Sequence, residues 1–529
     1  MIIFPWAEYH QTKMAIGSLL GWPWALSSLT VGLVVVACAS AVVALVAASI
    51  RDQRRLSHIP GPRWMGWTNL AMARKMYGGR AHYDMLELER RYGPIVRTGP
   101  NMVLVSDPHV LRMMSAARSE YTRGPYYKAV RINPHVDNIF SMTDDRQHKT
   151  LKSKMGPGYS GREMGGFEPG IDKHVGAFVR LIERKYLSTA HEYRPMDLAL
   201  KCNYFALDVI SELGFGAAFG FLREDRDLYR YNALTRRFFP FVMFLSSVPS
   251  LLALLGRWPL NAMGPAAGDS AGFGRLMQFA AGFVDGRLAP GAKRGRDMMQ
   301  AFVDAGLTRD ELMQEVFVET VAGSDTTATA VRSTMLCLLG NPAALARLRA
   351  EIDTGIASGL VSSPVRDAEA RRMPYLQAVI REGIRMFPPA TGVLSKQVPA
   401  GGDVLLGHAV PAGVQVGHNI CGLLRSRALF GPDADVFRPD RWLEAEAAEA
   451  DPDRLREMVG AVELVFGYGK FQCLGRTIAQ MELNKVYVEL LRRFDFTIVN
   501  VDKPVRLLSA AMLIMDDFWV RVSRRDEAV

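Results

Sequence analysis

The chain is poor in cysteine. Its 529 residues hold five: Cys38, Cys202, Cys337, Cys421 and Cys473. No two are close in sequence and no C-x-x-C occurs, which excludes a disulfide framework or a structural zinc site and fits a reducing compartment. Internal repeats are lacking, and so is any long disordered run. No recognised nucleic-acid motif accompanies the net charge of +10, so the basic surplus points to a protein partner or an anionic membrane surface. Gly156, Gly158 and Gly161 spell G-x-G-x-x-G. Pro157 and the basic helical stretch before it do not suit the strand-to-helix turn that binds a dinucleotide. What the chain has is apolar substance: 49% hydrophobic against 22% charged residues, enough for a sizeable core.

One segment reads as non-globular. Leu26 to Ile50 carries no charge over 25 residues, long enough to span a bilayer with some tilt. Trp22 and Trp24 stand at its start, where an aromatic belt belongs, and Arg51, Arg54 and Arg55 follow its end. By the positive-inside rule the C-terminal bulk faces the cytosol. The run is too long for a cleaved signal peptide, and no small-residue cleavage site is evident. His58-Ile59-Pro60-Gly61-Pro62-Arg63 then makes a stiff, turned connector that no helix can cross. The expected organisation is a lumenal segment 1–25, a transmembrane helix 26–50, a basic stop and hinge 51–63, and one domain over 64–529.

From about Leu86 the chain reads mainly helical with short strands. Ile95–Val105 predicts a hairpin turning at Gly99-Pro100-Asn101, and Val404–Val416 another turning at Pro411-Ala412-Gly413. The longest helix starts at the capping box Thr308/Glu311 and stops at Gly340 and Pro342. About 30 residues give roughly 45 Å, enough to cross a domain. Its middle is Ala322-Gly323-Ser324-Asp325-Thr326-Thr327, a polar cluster that is costly inside an apolar helix unless it serves a purpose. A further helix runs from near Pro374 to Pro388-Pro389 and carries Glu382 and Arg385 on one face; Phe437-Arg438-Pro439-Asp440-Arg441-Trp442 follows some 55 residues on.

Cys473 lies in Phe466-Gly467-Tyr468-Gly469-Lys470-Phe471-Gln472-Cys473-Leu474-Gly475, ahead of a segment whose apolar residues Ala479, Leu483, Val486, Leu490 and Phe494 recur at helical spacing. Gly467, Gly469 and Gly475 let the backbone turn and expose N–H groups, and the helix dipole favours negative charge at that end. The setting is that of a thiolate.

This loop resembles the haem-thiolate loop of the cytochrome P-450 superfamily, F-x-x-G-x-x-x-C-x-G, at all four fixed positions. Ala322–Thr327 is similar to that family's A/G-G-x-D/E-T-T/S motif. Glu382, Arg385 and Arg441 correspond to its buried Glu-Arg-Arg triad, with Asp440 and Trp442 where Glu and Phe are more usual. The resemblance implies a mainly α fold with small β-sheets, thiolate-ligated haem, and a monooxygenase that uses O2 and electrons from an NADPH-cytochrome reductase, since no flavin domain is evident. Cys473 would ligate the iron. Asp325 and Thr326 would handle protons for dioxygen, with Thr327 assisting. The detailed look is nearest to microsomal enzymes of fungal secondary metabolism, including the pisatin-demethylase-like group. That implies the endoplasmic reticulum membrane and a hydrophobic small molecule, a polyketide or terpenoid, as substrate.

One position departs from the family. Phe471 stands where an arginine usually binds a haem propionate, and phenylalanine cannot do so. Lys470, Lys396, and the His148/Lys152 pair are the candidates to replace it; the pair resembles the family's W/H-x-x-x-R site. Lys149, Lys152 and Lys154 suit a basic face for a reductase. Matching regions for the substrate pocket are Tyr126–Phe140, Phe238–Leu255, Val321–Ala322, Thr391–Leu394 and Ala510–Met512. A haem-thiolate isomerase or dehydratase, or a haem sensor, are the rival classes. The first does not need the retained Asp325-Thr326, and the second does not need an apolar pocket above the iron.

Overall fold

The computed structural model describes residues 28–131, 136–162, 165–255, 273–448 and 451–525. It divides into two units between Arg55 and Leu56. The first unit contains one helix, Ser28–Arg55. It runs five residues past the expected end of the apolar segment and takes up Arg51, Arg54 and Arg55, which were read as part of the connector. Among the described residues no helix is long and apolar enough to cross a membrane. The spanning segment expected at Leu26–Ile50 therefore finds no support there, and Trp22, Trp24 and the lumenal stretch lie outside the described residues.

The second unit is built on the helix Arg309–Leu339. Thr308 and Glu311 form a reciprocal capping box at its start, and Gly340 ends it, so the helix is capped where the sequence places its signals. The helix Leu198–Phe215 lies along it and is buried on nearly every side. The helix Pro374–Met386 and the helix Arg476–Leu491 pack on it elsewhere. A helix buried all round must be apolar or internally satisfied on every face. The sheets are small. The largest has five strands in the order Ile95–Gly99, Met102–Val105, Gln415–His418, Lys396–Gln397, Thr122–Arg123. Its pairings are antiparallel except between Met102–Val105 and Gln415–His418.

Two local readings need correction. The hairpin expected across Val404–Val416 closes earlier: Asp403–Leu405 pairs with His408–Val410 through Leu406 and Gly407, both at positive φ. Two positive-φ residues match the twist of a two-residue hairpin, but leucine is not a residue that signals one. The turn at 411–413 instead hands the chain to Gln415–His418, which pairs with strands from two other parts of the chain. The apolar stripe after Cys473 ends at Leu490, because the helix stops at Leu491 and Phe494 opens the strand Phe494–Ile498.

Candidate active site

Cys473 sits just before the helix Arg476–Leu491, whose N-cap is Gly475. Its amide donates to the Phe466 carbonyl at 2.7 Å. Its sulfur accepts from the N–H groups of Gly475 and Arg476, which favour the thiolate; burial outweighs them and, with Lys152 also favouring the anion, the thiol is still raised above its ordinary pKa. Two glycines make the loop possible. A Cβ on Gly467, at φ +70°, would lie 2.6 Å from the Phe471 carbonyl oxygen. One on Gly469, at φ +53°, would lie 2.3 Å from that of Ser115. Cys473 is exposed in surface terms yet strongly desolvated. Both hold for a side chain that opens onto an internal hollow, and the desolvation governs its chemistry. Ala322, in the middle of the long helix, is likewise exposed. A separate open hollow of about 700 Å³ is lined by Arg112, Leu455, Arg456 and Glu463, and holds none of these residues.

The polar cluster of the long helix splits between two directions. Thr326 Oγ1 donates to the Ala322 carbonyl at 2.6 Å, on the open side. Asp325 is buried instead against other helices: Asn203 Nδ2 donates to it at 2.9 Å and the Tyr231 hydroxyl at 3.3 Å. Burial raises its pKa, opposed by the charge of Arg332 and the Tyr231 hydrogen bond. Tyr231 also meets Ser324 at 3.1 Å. Thr327 is buried. The sequence offers no sign of Asn203 and Tyr231 as partners, since they lie 122 and 94 residues away.

Glu382, Arg385 and Arg441 meet in the core, each almost wholly buried. Arg385 binds Glu382 bidentately, at 2.8 Å from both Nε and Nη2. Arg441 Nε donates to the same carboxylate at 2.9 Å, and the amide of Arg438 joins at 2.9 Å. Trp442 Nε1 donates at 3.0 Å, so the residue that replaces the usual phenylalanine adds a hydrogen bond. Burial acts to raise the Glu382 pKa, but the arginines together hold it below the ordinary value.

A second buried group has no such balance. Arg123 and Lys396 are direct cross-strand partners, and like charges placed so repel. Both are buried, Lys396 to 2% exposure. Burial lowers both pKa values, and Arg123 lowers Lys396 further. Arg123 Nη1 donates to the Ile139 carbonyl at 2.6 Å, while its Nε has no partner. Lys396 Nζ donates to Tyr127 Oη and the Leu394 carbonyl. Lys152 Nζ clamps the carbonyls of Lys470 and Gln472, at 2.9 and 3.0 Å. His148 is driven down to about 3 by burial and by these cations, so its ring is neutral. Phe471 lies among them, with its ring 4.9 Å from Arg123 and 4.5 Å from Lys396. The aromatic that displaced the arginine thus faces the cations with its negative face. Lys470, a further candidate for the propionate contacts, has its three protons on the Ser119 and Tyr121 carbonyls and on Asp145. Among the described residues Lys470–Asp145 is the one ion pair this group makes.

Buried cations without counter-charge are costly, and here they stand beside a desolvated cysteine at a helix N-terminus. A dianionic, iron-bearing ligand answers both conditions, and the residues present fit haem. The sequence missed Arg123, whose two-residue strand reads as a loop and which meets Lys396 only through the sheet.

This is the architecture of a haem-thiolate enzyme. The family model for cytochrome P450 matches residues 59–517, and the chain belongs to that family. It is 41% identical over 496 residues to cytochrome P450 monooxygenase ABA1 of Pyricularia oryzae, covering 92% of this chain and 96% of that one. It is 38% identical over 475 residues to cytochrome P450 monooxygenase aba1 of Botryotinia fuckeliana, covering 89% and 92%. It is 30% identical over 491 residues to cytochrome P450 monooxygenase cicH of Emericella nidulans, covering 90% and 95%. The protein is an oxidoreductase of the fungal secondary-metabolism type, a monooxygenase with thiolate-ligated haem as its cofactor.

Proposed function

We propose that Cys473 is the axial thiolate of a monooxygenase that hydroxylates an apolar polyketide or terpenoid with O2 and electrons from an NADPH-dependent reductase. The observation that carries the assignment is the cysteine itself, the one loop cysteine at a helix N-terminus with two backbone N–H groups on its sulfur. Haem held by a single thiolate supplies the redox chemistry that cleaves O–O. Arg123, Lys396, Lys152 and the neutral His148 would hold its propionates. Thr326, on the open face of the long helix, would donate a hydrogen bond to the reacting oxygen and release the one it makes to Ala322. Asp325 would serve behind it, held protonated-leaning by burial and linked to Tyr231 and Ser324, so that a proton can be stored beside the groove. The apolar character of the matching pocket positions supports the substrate class: Val321, Leu394, Ala511 and Met512 carry no polar side-chain group, and Thr391 has its hydroxyl tied to Ser509 at 2.9 Å.

The same proposal places the enzyme at the endoplasmic reticulum membrane, anchored by Leu26–Ile50 with the catalytic unit toward the cytosol. Supporting it are the uncharged run, the basic residues after it, and the exposed apolar side chains Trp64, Trp67, Leu70, Tyr77 and Phe241 on the catalytic unit. The test of the central assignment is the reduced, CO-bound spectrum of Cys473→Ala. Loss of the thiolate-type Soret band is expected; its survival overturns the assignment. Product formation that proceeds without NADPH and reductase would overturn the reaction class.

A further inference from the structure

The long helix carries a second set of carboxyl groups that the reading above does not use. Glu311, Glu315 and Glu319 follow one another at intervals of four, and Ala322 and Thr326 continue the series by three and four. These spacings keep all five on one stripe of the helix. Glu311 stands at the surface end, half-buried in the capping box with Thr308. Glu315 and Glu319 are buried, to 1% and 3% exposure. One oxygen of each has a partner: the Ile139 amide donates to Glu315 at 2.7 Å, and the Tyr159 hydroxyl to Glu319 at 2.9 Å. The other oxygen of each, Oε2, is buried and has none.

We propose that Glu311, Glu315 and Glu319 form a carboxyl ladder that carries protons from the protein surface to the groove at Ala322 and Thr326. An unpartnered buried carboxylate oxygen is costly, and an unpartnered carboxylic acid hydroxyl far less so. Burial accordingly raises Glu315 to about 8, with Glu311 adding to the rise and the Ile139 amide opposing it. It raises Glu319 well above its ordinary value, opposed by Tyr159. Both are acids at physiological pH, each with a proton to give and an oxygen to receive one. The axial step between levels is about 6 Å, within reach of two glutamyl side chains. Glu319 releases its proton toward the groove and takes one from Glu315, and Glu315 is refilled by a proton that Glu311 takes from bulk water and passes on. One proton enters and one leaves, and the ladder returns to its starting state. At the inner end Ala322, one turn on from Glu319, presents no side chain beyond Cβ and is exposed, while the unpartnered Oε2 of Glu319 stands over Gly214, 3.6 Å from where a Cβ there would lie. The proposal rests on the reading of Thr326 as the groove's proton donor, and treats the three glutamates as proton-relaying groups that touch neither haem nor substrate.

Glutamine is the discriminating substitution. It keeps the acceptor for Tyr159 or Ile139 and the side-chain volume, so a glutamate that only props up its neighbours tolerates it; it cannot relay a proton. The experiment uses the haem-loaded full chain as wild type, Glu319→Gln, Glu315→Gln, Glu311→Gln and Thr326→Ala. The first measurement is infrared: the wild type should show carbonyl bands of protonated carboxylic acid that shift in D2O, with one lost in each of the two buried variants. If those bands are unchanged in both variants the ladder is wrong, whatever the reductase does. The second follows dioxygen itself in an NADPH-driven oxidase assay with a fungal reductase, where reduction to water consumes twice the NADPH per O2 that peroxide formation does. Glu319→Gln and Glu315→Gln should slow water formation about tenfold, raise the peroxide share and enlarge the solvent isotope effect. Glu311→Gln should do less, because water can replace it. Wild-type partition in both buried variants overturns the ladder alone if Thr326→Ala still leaks peroxide. A leak in the glutamate variants without one in Thr326→Ala overturns the Thr326 reading and keeps the ladder.

Discussion

Two buried ionic groups in this molecule have opposite bookkeeping. Around Glu382, each lone pair and each guanidinium has a partner, and an anion is matched by Arg385 and Arg441. Arg123 and Lys396 are cations that face each other across a strand pair, and among the described residues neither makes an ion pair. Both groups are buried. The difference teaches that burial of charge does not mark a site; the imbalance does. A closed network fixes the register of the helices that carry it. An open one is stable only when something from outside closes it.

The comparison breaks most severely at its closed half. Glu382→Gln leaves Arg385 and Arg441 buried without an anion, and should cost about 3–5 kcal/mol, read as loss of soluble haem protein or a steep drop in Tm. The acid limb tests the same point. Glu382 has its pKa lowered in the fold, so its contribution is complete above the ordinary glutamate range and is lost as pH falls through the depressed value. Wild-type stability should decline on acidification in that window, and the Glu382→Gln variant, already destabilised, should decline less there.

The open half should respond in the reverse manner. Arg123→Met removes the donor proposed for a propionate and should weaken haem retention about 10- to 100-fold, the range of a hydrogen bond to a charged group, as measured by haem transfer to an acceptor protein. The protein without haem should lose no stability from it. A smaller effect is expected of Phe471→Arg, which adds a cation where the ring now caps Arg123 and Lys396. It should lower the Tm of the haem-free protein by an amount on the order of 1 kcal/mol, and recover it when haem is bound.

The two halves also differ in how far they could be read from the sequence. Glu382, Arg385 and Arg441 belong to motifs with fixed local spacing, and their helices have start and stop signals in proline and glycine. The long helix was legible for the same reason, from Thr308 to Gly340. Cys473 was legible from its glycines and the helix that follows. The open cluster was not. Arg123 lies on a strand of two residues, too short for any periodicity. Its relation to Lys396 is made by a sheet that joins segments some 270 residues apart. The charge of Lys470 is visible in the sequence, and its three acceptors are not. Asp325 was legible as a buried polar residue, but its direction depends on Asn203 and Tyr231, which tertiary packing brings to it.

The most direct measurement is the Tm of Lys396→Met, with and without haem, beside Arg385→Met measured in the same way. If the Arg123–Lys396 group is an open half closed by haem, Lys396→Met leaves the haem-free protein as stable as wild type or stabilises it by about 1–4 kcal/mol. It should also shrink the increase in Tm that haem brings, while Arg385→Met lowers both forms alike. A haem-free Lys396→Met protein that melts as far below wild type as Arg385→Met, with an undiminished haem increment, would contradict the account.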